Sequence, residues 1–465
     1  MSTTSPTIEG ADKGWAVLEF EDVDLGDARL EKRLWGVAED LSRQPEYPIN
    51  QASHDAAATK AAYRLFDNEK VTPERIFTVH RKRSLERMHE EPVVLAIQDT
   101  SFFNFSSHKK TKGLGPIGDS DKDAQGLILH STLAVTPRGL PLGVLSHRCW
   151  AREGYRASEE EHERKPIEEK ESYRWVATLR EITSLSLSHG KSMVVTIADR
   201  ESDIYEFLLE AQKLNAKYVI RACYDRHVRS PVHRTIQDHM DELSSQAKVE
   251  VEVPTQNRRA ILDLTFTRVD LRPPERITRS KNAFIVTCWV IRVAENAPPD
   301  GWEPLSWTLL TNIPIGSAEQ AVEKLSWYRR RWSIEEFHKI LKSGCSVEDC
   351  RLQTAERLKR YFALFCVIAW RLFWMVHIKR VAPDAPAEIA LTQSEIGTLC
   401  SLKRFKPKLP PASPTVRQAL IAIACLGGYL NRKNDPPPGP TVMWRGWQRL
   451  ASMTELYESV VPGCG

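Results

Sequence analysis

No C-x-x-C pair occurs in the chain. Its nine cysteines are scattered through 465 residues, and no Cys or His pair follows Cys345 and Cys350 at zinc-finger spacing. That argues against a disulfide framework and a zinc knuckle and leaves reduced structural thiols. A Gly-rich phosphate loop, an H-E-x-x-H and a G-x-S-x-G are also missing, so the commonest nucleotide hydrolases, metalloproteases and serine hydrolases lack their expected motifs. The first residues, MSTTSPTIEGADKGWA, carry neither a basic n-region nor an apolar h-region, so they do not read as a secretory signal and a cytoplasmic location is expected. The most membrane-like run, YFALFCVIAWRLFWMVHIKR from Tyr361, is interrupted by Arg371 and too short on either side to cross a bilayer. It is read as a buried helix, with no membrane partner. There is no internal repeat, and low complexity is limited to proline clusters from Pro407 and Pro436, which mark loops.

What is present is 42% apolar content, ample for a core in a chain long enough for two to four domains. A net charge of +4 is mild, but the positive charge is clustered: HRKRSLER from His80, HKKTK from His108, RHVRSPVHR from Arg226, YRRR from Tyr328 and KRFKPK from Lys403. One acidic run, from Glu159, stands against them. Any one basic cluster reads as a solvated face; five together point equally to a polyanion.

Up to about residue 70 the pattern is helical and polar, with Asp27 and Asp55 placed to cap two helices. From Pro92 short apolar strands take over: VVLAIQD, then a hairpin turning at TPRG, then the helix SYRWVATLREITSLSLSHG, then MVVTIAD. That order describes a mixed α/β sheet. Between Lys217 and Pro314 four strand patterns predict an antiparallel sheet inserted between core elements. From Ser317 onward the chain reads as helical.

Asp99 closes VVLAIQD and Asp199 closes MVVTIAD. Continuous apolar strands are covered on both faces, and ligands meet an α/β sheet at such strand ends, where two carboxylates could share a divalent cation. Taken singly, each aspartate reads as a loop-starting cap. A third acid comes from YRRRWSIEEFHKILK. At about 100° per residue, Tyr328, Arg331, Glu335 and Lys342 share one helical stripe, with Trp332 and Lys339 at its edge and Ile334, Phe337, Ile340 and Leu341 opposite. Glu336 lies farther from the stripe. Alone, this helix reads as an exposed surface with i, i+4 pairs such as Arg331 with Glu335. With the two aspartates, it also reads as a carboxylate for a metal flanked by cations for phosphate.

At these residues the chain resembles bacterial DDE transposases of the insertion sequence four family, the kind encoded by transposon five. Tyr328, Arg331, Glu335 and Lys342 match the family's Y-x2-R-x3-E-x6-K, DRESDI from Asp199 matches D-R-E-x-D-I, and IQDT contains the first acid. Further similarity at LGDARLEKRL, AAYRLF, EKES, LSWTLLT and IACLGGYL carries the resemblance almost end to end. It implies an RNase H-like core over residues 73–380, with a β-rich insertion at about 217–315 between the second and third acids. A helical DNA-end-binding domain over 1–72 and a helical dimerisation domain over 381–465 would flank it. Asp99, Asp199 and Glu335 would hold two Mg²⁺ ions, with Mn²⁺ able to substitute. Tyr328 and Arg331 would grip phosphate beside a flipped base, Trp307 would stack on that base and Trp332 would line its pocket; Lys342, Lys339, Arg351, Arg221, Arg33 and Arg29 complete the expected DNA contacts. The implied partners are transposon terminal repeats, target DNA and a second copy in a synaptic complex associated with the nucleoid. Cut-and-paste transposition is the expected activity; a nuclease without strand transfer and a DNA-binding derivative without catalysis are the alternatives. The N-terminal region and Val381–Thr415 match the family loosely, so the end sequence recognised does not carry over.

Overall fold

In the computed structural model, residues 14–118, 124–154, 165–253, 256, 258–274, 284–402 and 413–460 are described. The basic run from Lys403 and the first part of the acidic run, 159–164, lie outside them.

The chain begins with helices α1 (Trp15–Phe20), α2 (Ala28–Arg43), α3 (Ile49–Ala52) and α4 (Ala56–Asp67). Asp27 and Asp55 cap α2 and α4 as expected, their side chains accepting from the Arg29 and Ala58 N–H groups. Helix α5 (Pro73–Met88), entered through Thr72 and Pro73, carries the HRKRSLER cluster.

Strand β1 (Val93–Asn104) pairs antiparallel with β3 (Gln125–Val135), which also holds the short β2 (Gly115–Pro116) and the hairpin partner β4 (Pro141–Trp150). The hairpin turns at Thr136–Gly139, where Gly139 takes φ +97°. Helix α6 (Tyr173–His189) crosses to β5 (Met193–Ala198), parallel to β1, and α7 (Tyr205–Leu214) crosses to β6 (Lys217–Arg221), parallel to β5. The order β4-β3-β1-β5-β6, a hairpin followed by two parallel crossovers, is the RNase H-like core.

After α8 (Ile236–Asp241) come β7 (Ala247–Val253), β8 (Arg258–Leu271), β9 (Val286–Ala294) and β10 (Ser306–Thr311), all antiparallel. They do not form a separate layer, because β10 pairs with β6 and extends the core into one ten-stranded sheet. Lys217–Arg221, at the start of the stretch expected to be antiparallel, therefore belongs to the parallel core.

Helices α9 (Ala318–Arg329), α10 (Trp332–Lys339) and α11 (Ala355–Val381) follow, then α12 (Gln393–Ser401), α13 (Val416–Leu426) and α14 (Pro440–Val460). Among the described residues α11 alone is long and apolar enough to cross a membrane, and 83% of its most apolar window is buried inside the protein. It is the spine of the molecule: α2, α4, α5, β4, α13 and α14 all pack on it, and one apolar cluster runs from Ala16 through Ile97 and Phe362 to Trp444. Burying a side chain such as Phe362 or Phe365 contributes about 1.5–3 kcal/mol, so the spine joins the helical ends to the sheet strongly.

Candidate active site

Strands β1 and β5 run parallel with Ile97 opposite Ile197. Asp99 and Asp199, each two residues further on, therefore lie at the same level, just past the last pair of a ladder whose strands run about 4.8 Å apart. Asp99 does not end its strand, as the sequence pattern implied; β1 continues to Asn104, with Asp99 opposite Ser131. Asp199 does end its strand, and its Oδ1 accepts from the Glu201 N–H at 2.9 Å to cap a 3-10 turn.

Glu335 arrives on α10, but YRRRWSIEEFHKILK is not the single regular helix expected. The chain leaves α9 at Arg329 and re-enters a helix at Trp332, through tight bonds from the Ser333 and Ile334 N–H groups to the Arg330 and Arg331 carbonyls at 2.8 and 3.2 Å. It ends in a π turn, Ile340–Gly344, where Gly344 lies so close to the Trp444 ring that a Cβ there would sit 2.6 Å from it. Such turns change the rotation per residue, so the stripe does not follow from 100° steps alone. The sorting of faces survives: Ile334, Phe337, Ile340 and Leu341 are buried. Arg330 is satisfied by the hairpin turn, donating from Nε to the Pro137 carbonyl at 2.9 Å. Glu336 turns away, 3.5 Å from His377 of α11.

Around Asp99 the charges converge. Burial, more than any other cause, pushes its carboxyl up to about 7; the negative charges of Asp199 and Glu335 add to this, against the Thr100 N–H and Arg331. Three carboxylates from three chain segments thus share one partly dry volume. Arg331 is their cation: its guanidinium is 2.5 Å from Glu335 Oε1 and is hydrogen-bonded to Tyr328. Burial opposes its charge, but Tyr328, Glu335 and Asp99 outweigh that and raise its pKa. Burial raises the pKa of Tyr328, which also lies within reach of Arg221 and Asp199. Lys342 lies with its Nζ 5.1 Å from the Phe103 ring centre; burial lowers its pKa against the charges of Glu348 and Asp99.

Among the described residues no group of three His, Cys, Asp or Glu side chains stands ready as a metal cage. One oxygen of Glu335 is instead engaged by Arg331. The donor set still fits a divalent cation: three hard oxygen ligands, one pushed toward neutrality by its like-charged neighbours, would regain full charge beside such an ion.

Several surrounding residues were not singled out from sequence. His338, one turn beyond Glu335, shares a hydrogen bond with Ser131 Oγ at 2.8 Å and has Nδ1 3.9 Å from Asp99 Oδ2. Burial drops its pKa to about 3, so it is neutral. Its position three residues after Glu335 was the available signal. Thr100 lies 2.9 Å from His130 Nδ1 and accepts from Arg174 Nε at 2.9 Å, and Arg174 pairs with Glu201. No periodicity announces contacts so distant in sequence. Asp203, the second aspartate of DRESDI, is structural: buried, it accepts from Cys223 N–H, Tyr224 N–H and Arg226.

Of the expected DNA contacts, Tyr328, Arg331, Lys342 and Arg221 gather around the acids. Trp332 is 62% exposed, and Trp307 of β10 is half-buried against the main core. Lys339 and Arg351 are exposed. Arg29 and Arg33 are on α2, which packs on other terminal helices and on α11, and stand apart from the carboxylate cluster.

Three family signatures match the chain in order: transposase DNA-binding over residues 12–71, transposase DDE domain over 161–371 and transposase Tn5 dimerisation domain over 367–459. The chain belongs to the DDE transposases and resembles that of Tn5. The DDE match contains Asp199 and Glu335, while Asp99 precedes it. In this transposase the DNA-binding match falls on α1 to α4 and the dimerisation match on the second half of α11 with α12, α13 and α14. Members of this class act with a divalent metal.

Proposed function

We propose that the transposase excises and inserts DNA by a cut-and-paste route, with Asp99, Asp199 and Glu335 as its metal-binding catalytic acids. The observation that carries this is the parallel register of β1 and β5, Ile97 opposite Ile197, which brings Asp99 and Asp199 to one level beside the helix that bears Glu335, near enough that both acids add to burial in raising the Asp99 carboxyl. Such a cluster costs stability unless a cation is to occupy it. Two Mg²⁺ ions, replaceable by Mn²⁺, would supply activation of the attacking oxygen and stabilisation of the leaving 3′-oxygen.

The chain's own residues do the positioning. Arg331 and Tyr328 hold a backbone phosphate, Lys342 adds positive charge on the Asp99 side, and Trp307 receives a base flipped from the end, with Trp332 beside it. Neutral His338 keeps the floor of the site from adding another charge. A water oxygen first attacks phosphorus at the transposon end and releases a 3′-hydroxyl. That hydroxyl attacks the opposite strand and closes a hairpin; a second water opens it, and the same 3′-hydroxyl then joins target DNA. Each step forms one P–O bond and breaks one. We assign end recognition to residues 1–72, with Arg29 and Arg33 on its α2 helix, and pairing of two protomers to 381–465; Lys339 and Arg351 contact backbone outside the chemical centre.

The test uses a duplex carrying the terminal inverted repeat that flanks the encoding gene, supplied already cut, together with a supercoiled target and Mg²⁺. Joined products support transposition. Hydrolysis without joining sinks it in favour of a nuclease, and end binding without any Mg²⁺-dependent product favours a derivative that only binds DNA.

A further inference from the structure

Arg331 has two claims on it. Within the chain it grips Glu335, their side chains only 19% and 33% exposed, and through the charges of Tyr328 and Asp99 it is the cation of the carboxylate cluster. A partly sheltered guanidinium–carboxylate pair is not dismissed as a screened surface contact, and the oxygen it engages is one a metal would need. Among the described residues the three acids do not form a cage. A DNA phosphodiester offers the same guanidinium two non-bridging oxygens that share one negative charge and fit its fork, and the neighbouring phosphates of the backbone add further negative potential.

We propose that Arg331 is a latch on Glu335: in the DNA-free protein it occupies the carboxylate, and a backbone phosphate draws it away and frees Glu335 to complete the cation site. The inference rests on the proposed roles of Asp99, Asp199 and Glu335. Its consequence is that metal loading and DNA binding favour each other, and by linkage the coupling is the same in both directions. A protein holding no end keeps an incomplete site and does not cut.

The experiment measures Mn²⁺ binding to the DNA-free protein, from the electron paramagnetic resonance signal of unbound Mn²⁺. It compares wild type, Arg331→Gln, Glu335→Gln and the double variant. With Arg331 present, Glu335 is already engaged, so Glu335→Gln changes affinity by less than about twofold; in the Arg331→Gln background the same change weakens binding about tenfold or more. An equal cost of Glu335→Gln in both backgrounds overturns the latch while leaving the carboxylate site standing. If Glu335→Gln, Asp99→Asn and Asp199→Asn all leave Mn²⁺ binding unchanged, the site itself is wrong and the latch falls with it. Should Arg331→Gln fail to fold, as judged by circular dichroism, Arg331→Met, which keeps the side-chain length without the charge, replaces it in the cycle under the same criteria.

Discussion

Two clusters in this molecule are built from the same residue types and behave in opposite ways. Near the α1–α5 junction, Glu19 is buried against His80 and Arg87: His80 Nδ1 lies 2.5 Å from Oε1, Arg87 binds both oxygens at 3.0 and 3.1 Å, and the Arg87 guanidinium stacks 4.2 Å over Trp370 of α11. His80 Nε2 accepts from the Val144 N–H at 2.9 Å, so the cluster ties α1, α5, β4 and the spine together. Burial works to raise the Glu19 carboxyl, but Arg87 and His80 win and hold it down to about 2. At Asp99 burial also leads, yet neighbouring acids join it and the carboxyl rises to about 7. The difference is partnership, not depth. A carboxylate given as much positive charge as it needs is a structural clamp; one placed among other carboxylates is a site prepared for something that arrives later.

The sharpest way to break this contrast is to remove the acids. Asp99→Ala, Asp199→Ala or Glu335→Ala should each cut end cleavage by about 10³-fold or more, about 4 kcal/mol of transition-state stabilisation, while gel shifts keep end affinity within about threefold. Retained Mg²⁺-dependent cleavage in any of them removes that acid from the site. Glu19→Gln, by contrast, should cost about 3 kcal/mol of folding stability, read as a shifted denaturant midpoint, because it strands Arg87 without its partner.

The pH dependence of the clamp has a definite sign. With a folded pKa of about 2 against an ordinary 4.5, Glu19 contributes stability that is complete above about pH 4.5 and lost as pH falls toward 2. His80, whose pKa burial lowers below 6.5, acts in the same direction, since in acid the unfolded chain takes up a proton that the folded one resists. Acid unfolding of Glu19→Gln should therefore be shallower than that of wild type; parallel curves would mean the clamp holds nothing.

A smaller effect concerns the base pocket. Trp307→Ala should slow cleavage of a fully paired end by an amount worth about 1–3 kcal/mol, and slow it less when the flipped position is already abasic. Smaller still, Asp99→Asn should raise the metal-free melting midpoint at pH 8 by an amount worth about 1–2 kcal/mol, because it relieves repulsion among three acids. A fall would place Asp99 with the clamps.

Much of the core was legible because its signals are local. Apolar runs marked β1 and β5, turn residues marked the β3–β4 hairpin, Asp27 and Asp55 marked helix starts, and spacing separated Glu335 from Glu336. What stayed hidden depends on contacts between distant segments. The π turn before Cys345 falls where Gly344 meets the Trp444 ring, a contact no periodicity reports, and the break at Arg330–Arg331 interrupts a pattern that reads as continuous helix. His338 has only its spacing from Glu335 to mark it, and its neighbours Ser131 and Asp99 come from segments distant in sequence. The extension of the sheet through β10 onto β6 was equally invisible, since a strand pattern does not name its partner.

The most direct test is a crystal structure of the transposase on a terminal-repeat duplex with a blocked 3′-end, grown with Mn²⁺ and read from anomalous density. Mn²⁺ peaks should lie about 2.0–2.3 Å from carboxylate oxygens of Asp99, Asp199 and Glu335 together, with the Arg331 guanidinium on phosphate. Peaks elsewhere, or Glu335 outside the metal shell with DNA bound, would contradict the assignment of these acids to one cation site.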